Sequence, residues 1–257
     1  MFLRNPGIRA GVAAAFTIAW ALLMSTLNRY PFPHIFSYDI NSPVLALEFS
    51  HDAYDIDAVL HRSEPDKAPV AIHIMWLENA LDLIFIPIYG FFLWSLARVF
   101  TDRTRLLTSL IVGTTLFDYL EDWQIFRALA GASPPIYPFS LVKWVLLGLA
   151  LLLTAVVLLR TASLVYSLPT ERLIAIGYLI SGGLIVVAVA LGQWIGYSYI
   201  EIALEIFGFL AIVHIIGLLG PHLAIAGISQ KYVENFCEER KKTGRGSLVA
   251  VKPDRPT

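Results

Sequence analysis

Glu78 and Asp82 are four residues apart, and Asp118, Glu121 and Asp122 stand at i, i+3 and i+4. On helices, each set shares one face. Both sets lie inside long apolar runs, where an ionisable side chain is costly and marks a pathway, relay or ligand site. Carboxylates converging at such a depth suit three kinds of chemistry. They can hold a proton, coordinate a hard cation such as Mg²⁺ or Ca²⁺, or serve as general acid and base. Lys143, early in a further apolar run, is one cation at that level, and Arg127 is the other. Five acids against two bases leave an excess of negative charge, which a bound metal ion, shared protons or water access must offset.

The elements that position these groups are legible from composition. The chain of 257 residues is 57% hydrophobic and 15% charged, far below the charge of an ordinary soluble domain. Apolar runs near 10–27, 72–97, 106–126, 139–159, 173–195 and 203–226 each approach the ~20 residues a helix needs to cross a bilayer. The reading is an all-α membrane bundle of six transmembrane helices. The first run is longer than a signal-peptide core and lacks a small-residue cleavage pattern, so it reads as a retained anchor.

Basic residues orient the bundle. With the N-terminus inside, Arg4, Arg9, Arg98, Arg103, Arg105, Arg160, Arg172 and the basic tail fall on the cytoplasmic side, against Arg29, Arg62, Lys67 and Arg127 outside. Both termini are then cytoplasmic. Reflection of the second span onto the third about a turn near residues 101–102 sets Asp82 level with Glu121 and Glu78 beside Ile125. All five acids fall within about 11 Å of depth, in the outer half of the membrane. Glu201 and Glu205 begin the sixth span at the outer face, where an exposed pair is cheap. His73 lies about a turn above Glu78, while His214 sits alone among apolar residues near mid-span.

Three units follow: a four-span bundle over 1–165, a two-span hairpin over 166–228, and a basic cytoplasmic tail over 229–257, partly disordered. The long external connection carries Asn41 or Ser42 before Pro43, an N-cap with proline at the first helical position. The mixture after it, with Val44, Leu45 and Leu47 beside Glu48, His51 and Asp55, predicts an amphipathic helix near 42–61 lying on the outer surface. Gly177 with Ser181, and Gly192 with Gly196, form small-residue faces for packing the fifth span on the sixth, or for a homodimer.

Several functions are excluded. A net charge of −1 offers no electrostatic footprint for nucleic acid. The single cysteine, Cys237, allows no internal disulfide. No Gly-rich phosphate loop, H-E-x-x-H or G-x-S-x-G occurs.

"SPVLALEFSHDAYDIDAVL" (42–60), "LDLIFIPIYGFFLW" (81–94), "DYLED" (118–122) and "LVKWVLLGL" (141–149) carry a resemblance over about residues 10–160. The region resembles a family of uncharacterised bacterial multi-pass membrane proteins with a D-x-x-E-N-like motif in the third span. Asp122 replaces the asparagine of that motif. The resemblance implies the bacterial inner membrane and singles out Asp82, Asp118, Glu121 and Lys143.

The residues leave three readings. The first is a small transporter or accessory subunit that binds a cation, a proton or a lipid headgroup at Glu78, Asp82, Asp118, Glu121, Asp122 and Lys143. In that case Glu78, Asp82, Asp118 and Glu121 are the metal candidates and a divalent cation is the candidate cofactor. The second is an enzyme acting on an outer-leaflet lipid with carboxylate acid/base residues. The third is purely structural, with Lys143 paired to Asp118 or Asp122 across helices. Expected partners are the bilayer, a lipid ligand, and a second membrane protein or a second copy of the chain.

Overall fold

The structure, a computed structural model, describes residues 6–27, 31, 40, 42–100, 105–165, 169–195 and 197–219. These form α1 (Pro6–Leu27), α2 (Pro43–Glu48), α3 (Ala53–Val59), α4 (Ala68–Phe100), α5 (Arg105–Leu129), α6 (Tyr137–Val165), α7 (Pro169–Ile195) and α8 (Ser198–Leu219). Among the described residues there is no strand. The turn expected near 101–102, Asn41, Gly196 and everything after Leu219, including the basic tail, lie outside the described residues.

Five helices contain stretches long and apolar enough to cross a membrane: Ile8–Leu27, Ala68–Arg98, Tyr137–Leu159, Ile174–Gly192 and Ser198–Ile215. The sixth long helix, α5, has the length but not the composition, because Asp118, Glu121 and Asp122 fall together in its second half. Those acids are buried, whereas Leu106, Val112, Leu116, Leu120 and Trp123 are exposed. The helix is therefore amphipathic in the inverted sense, polar inward and apolar outward. Phe16, Ile180, Val187 and Phe209 continue the apolar exterior on other helices. A soluble monomer rarely exposes so much contiguous apolar surface.

The six long helices close into a ring. In order, α1 packs on α4, α4 on α5, α5 on α6, α6 on α7, α7 on α8, and α8 returns to α1. Small residues set the closest approaches. A Cβ on Gly182 of α7 would lie 2.7 Å from the Gly148 carbonyl oxygen and 2.9 Å from the Leu152 nitrogen of α6, so no larger residue fits. Gly177 faces Leu210, and the Ser181 hydroxyl donates to the Ala203 carbonyl at 2.8 Å, so this small-residue face joins α7 to α8. The Tyr197 ring fills the space over Gly192.

Pro87 lies inside α4 without ending it. Proline has no N–H, so the carbonyl four residues earlier loses its helical donor. That carbonyl belongs to Leu83, and the Tyr119 hydroxyl of α5 donates to it at 3.2 Å. Trp20 of α1 donates to the neighbouring Leu81 carbonyl at 3.1 Å.

The segment over 42–61 departs from the single surface helix expected of it. Ser42 caps α2, with its hydroxyl accepting from the Leu45 nitrogen and Pro43 in the first turn. The helix then stops at Phe49. Asp52, whose carboxylate accepts from the backbone of Tyr54 and Asp55, starts α3 as a new helix. The physical reason is that α2 is buried rather than laid on a surface: Pro43, Leu45, Ala46, Leu47 and Glu48 are all covered. Phe49 stacks on Tyr197 with centroids 4.0 Å apart and meets Tyr137 edge-on at 6.3 Å. In this way α2 plugs one end of the ring, called here the capped end. Beyond α3, Glu64 accepts from Lys67 at 2.5 Å and pairs with His61 at 2.7 Å. The Lys67 ammonium and then the His61 ring hold the Glu64 carboxyl below its usual range.

Candidate functional site

Lys143, one and a half turns into α6, lies at the centre of the polar groups. Its ammonium is 3.0 Å from Glu48 Oε2 of α2 and 3.1 Å from Asp118 Oδ1 of α5, and it also contacts Glu121 Oε2 of α5. The remaining acceptor capacity is partnered locally. Trp144 Nε1 donates to Glu48 Oε2 at 2.8 Å, Ser140 Oγ to Glu121 Oε1 at 2.5 Å, and the Tyr89 hydroxyl of α4 to Asp118 Oδ2. Every one of these side chains is buried, Glu121 to within 1% of complete coverage. The clasp ties α2, α4, α5 and α6 through charge-assisted hydrogen bonds, the strongest polar contacts available to side chains. Three carboxylates around one ammonium leave an excess of negative charge when all are ionised.

Beside the clasp lies a cavity of about 650 Å³. It is bounded by Met24 of α1, by α2, and by residues of α4, α5, α6 and α8. Glu48, Glu78, Asp82, Asp118, Glu201 and Glu205 reach its wall, and Lys143 is the one cation among the described residues that line it. Apolar residues line it too: Val44, Leu45, Met75 and Ile125 beside the acids at the capped end, and Leu147 and Leu151 farther along α6 from Lys143. Glu201 also fixes the cap, since its Oε1 accepts from the Ser42 backbone nitrogen at 2.6 Å.

The residues singled out from sequence separate into groups. Asp118, Glu121 and Lys143 meet in the clasp. Glu78 and Asp82 lie on the cavity wall, which Asp118, Lys143 and Glu48 share. Asp122 is not a partner of Lys143. It is buried, its backbone carbonyl accepts from Asn79 Nδ2 at 3.1 Å, and its Oδ2 has no hydrogen-bond partner among the described residues. Arg127, expected as a second counter-charge, turns away and donates to Gln124 at 2.9 Å. Glu201 and Glu205, expected as an interfacial pair, are on the cavity wall because α8 closes the ring against α1. His214 is buried against Tyr178, centroids 5.8 Å apart.

Glu78, Asp82, Asp118 and Glu121, the metal candidates, do not converge as one ligand set, and among the described residues no three His, Cys, Asp or Glu side chains do. Asp118 and Glu121 already hold the Lys143 ammonium in the place a metal ion would take.

Glu48, Tyr89, Ser140 and Trp144 were not singled out from sequence. Two signals pointed to three of them. Tyr89 is seven residues after Asp82 and Ser140 three before Lys143, each a same-face spacing. Glu48 is the one acid in the apolar run from Val44 to Phe49. Its reach to Lys143 depends on α2 entering the ring, which no local pattern specifies.

Comparison of the chain with family models, with curated proteins and with solved structures gave no match in any of the three.

Proposed function

We propose that this chain is a six-span membrane protein with both termini cytoplasmic, whose central cavity binds a positively charged ligand from the outer side. It would act as the binding element of a small transporter or an accessory subunit in a bacterial inner membrane. One observation carries the reading: six carboxylates reach the cavity wall, and the one ammonium among the described residues that line it is already held by two of them, Glu48 and Asp118, and by Glu121. A cation or a set of protons relieves that imbalance; an anion worsens it. Counting α5 as a span is supported by its apolar exterior and by the burial of its acids. The orientation is supported by the basic residues of the sequence.

The same geometry divides the labour between the acids. Glu48, Asp118 and Glu121 belong to a clasp that holds helices together, which takes in the structural reading of Lys143. Glu78, Asp82 and Glu205 line the cavity without taking part in the clasp. The test is thermal unfolding in lipid nanodiscs with inorganic and alkylammonium cations, each beside a matched anion. At least one cation should raise the melting temperature, and Glu78→Gln with Asp82→Asn should remove that response. Equal stabilisation by the matched anions, or no response to any cation, would sink the proposal.

A further inference from the structure

Among the described residues, two arginines at the end of the ring opposite the cap have no acidic partner. Arg9 stands at the start of the apolar stretch of α1, and Arg98 closes that of α4. Their guanidinium carbons lie 5.5 and 5.8 Å from the centre of one indole ring, that of Trp94 on α4. The Arg9 Nε is covered and has no hydrogen-bond partner among the described residues. The ring attracts both guanidiniums but cancels neither charge.

The surface beside these charges is apolar. On α4, Phe91, Trp94 and Arg98 share one face at i, i+3 and i+7, with the Phe91 and Trp94 rings 5.7 Å apart. On α1, Phe16 shares the face of Arg9 at the same i+7 spacing. The two helices pack side by side and antiparallel, since Arg9 meets Trp94 while Trp20 bonds to Leu81. Phe16 and Phe91 therefore lie at one level, about 10 Å from the arginines toward the capped end. Both are exposed, as is Arg98. The seam between α1 and α4 thus presents positive charge at its end and aromatic surface next to it.

We infer that this seam binds an anionic phospholipid of the leaflet opposite the cap, its phosphate on Arg9 and Arg98 and its acyl chains over Phe16 and Phe91. Arginine suits the task, because its planar fork donates in pairs to phosphate oxygens. Charge complementarity selects a headgroup with net negative charge. A zwitterionic headgroup brings its own ammonium and leaves the two guanidiniums less well neutralised. Free phosphate would satisfy the arginines and leave both phenyl rings uncovered. The site lies at the far end of the ring from the clasp, so it stands whatever the cavity binds. In the proposed orientation its leaflet is the cytoplasmic one.

The experiment is native mass spectrometry of the full chain in detergent, titrated with phosphatidylglycerol, phosphatidylcholine or inorganic phosphate. Phosphatidylglycerol should bind saturably and at least tenfold tighter than phosphatidylcholine, and an excess of inorganic phosphate should not displace it. Arg98→Gln should weaken phosphatidylglycerol at least tenfold. Arg105→Gln, an equal loss of charge at an exposed position at the start of α5, should weaken it less than threefold. Arg98→Lys keeps the charge without the paired donors and should still weaken it at least threefold, which separates loss of the fork from any loss of folding. Equal binding of phosphatidylcholine, or equal losses in Arg98→Gln and Arg105→Gln, would reduce the seam to diffuse basic surface and overturn the inference. Displacement by inorganic phosphate would overturn a lipid as the occupant. Absence of saturable phosphatidylglycerol binding would overturn the site itself.

Discussion

At the scale of the residue, Lys143 answers an electrostatic problem set by its neighbours. Glu48, Asp118 and Glu121 could not be buried together as carboxylates without a cation between them, and a buried ammonium needs acceptors as much as they need it. Each depends on the others. Lys143→Met should destabilise the protein by about 3–5 kcal/mol, because it leaves buried charge without a partner. Adding Asp118→Asn removes one of the stranded charges, so the double variant should be more stable than Lys143→Met alone. Unfolding by SDS titration in mixed micelles reads both. Losses that simply add would mean the clasp is not one interacting unit.

The same logic holds for elements, where a defect in one helix is met by a side chain on another. Pro87 removes a donor from α4, and Tyr119 of α5 supplies a replacement at the Leu83 carbonyl. Tyr119→Phe should cost about 1 kcal/mol by leaving that carbonyl without its donor. In a Pro87→Ala background residue 87 regains its N–H, and Tyr119→Phe should then cost markedly less. A double-mutant cycle with no coupling would show that the two residues act independently. Element α2 shows a related dependence. Its N-cap was readable from Ser42 and Pro43, but its burial was not. What draws it into the ring is the Phe49 stack on Tyr197, the Glu48 bond to Lys143 and the Glu201 bond to its first turn.

For the whole molecule, the ring gives the apolar and polar residues separate destinations. Apolar side chains cover the outside and fill the contacts between helices, and six carboxylates face a shared interior closed at one end by α2. The proposed orientation sets that capped end outside the cell. A cysteine introduced at Tyr54, which is 80% exposed beside the cap, should react with an impermeant maleimide on intact cells once Cys237 has been replaced by serine. Native Cys237, in the C-terminal tail, should react only after permeabilisation. The opposite pattern would reverse the orientation and turn the cavity toward the cytoplasm.

The sequence by itself determined the all-helical class, with several runs long and apolar enough to cross a membrane, and the same-face spacing of Glu78 with Asp82 and of Asp118 with Glu121. These follow from apolar run length and helical periodicity, which are properties of neighbours along the chain. The tertiary structure decided which acids share Lys143. Asp122 is adjacent to Glu121 in sequence, yet it is Glu48, 95 residues before Lys143, that completes the clasp. It also decided that α8 returns to α1, which puts Glu201 and Glu205 on the cavity wall. Such contacts depend on which helices become neighbours and how they are rotated, and periodicity fixes a face without naming what that face will meet.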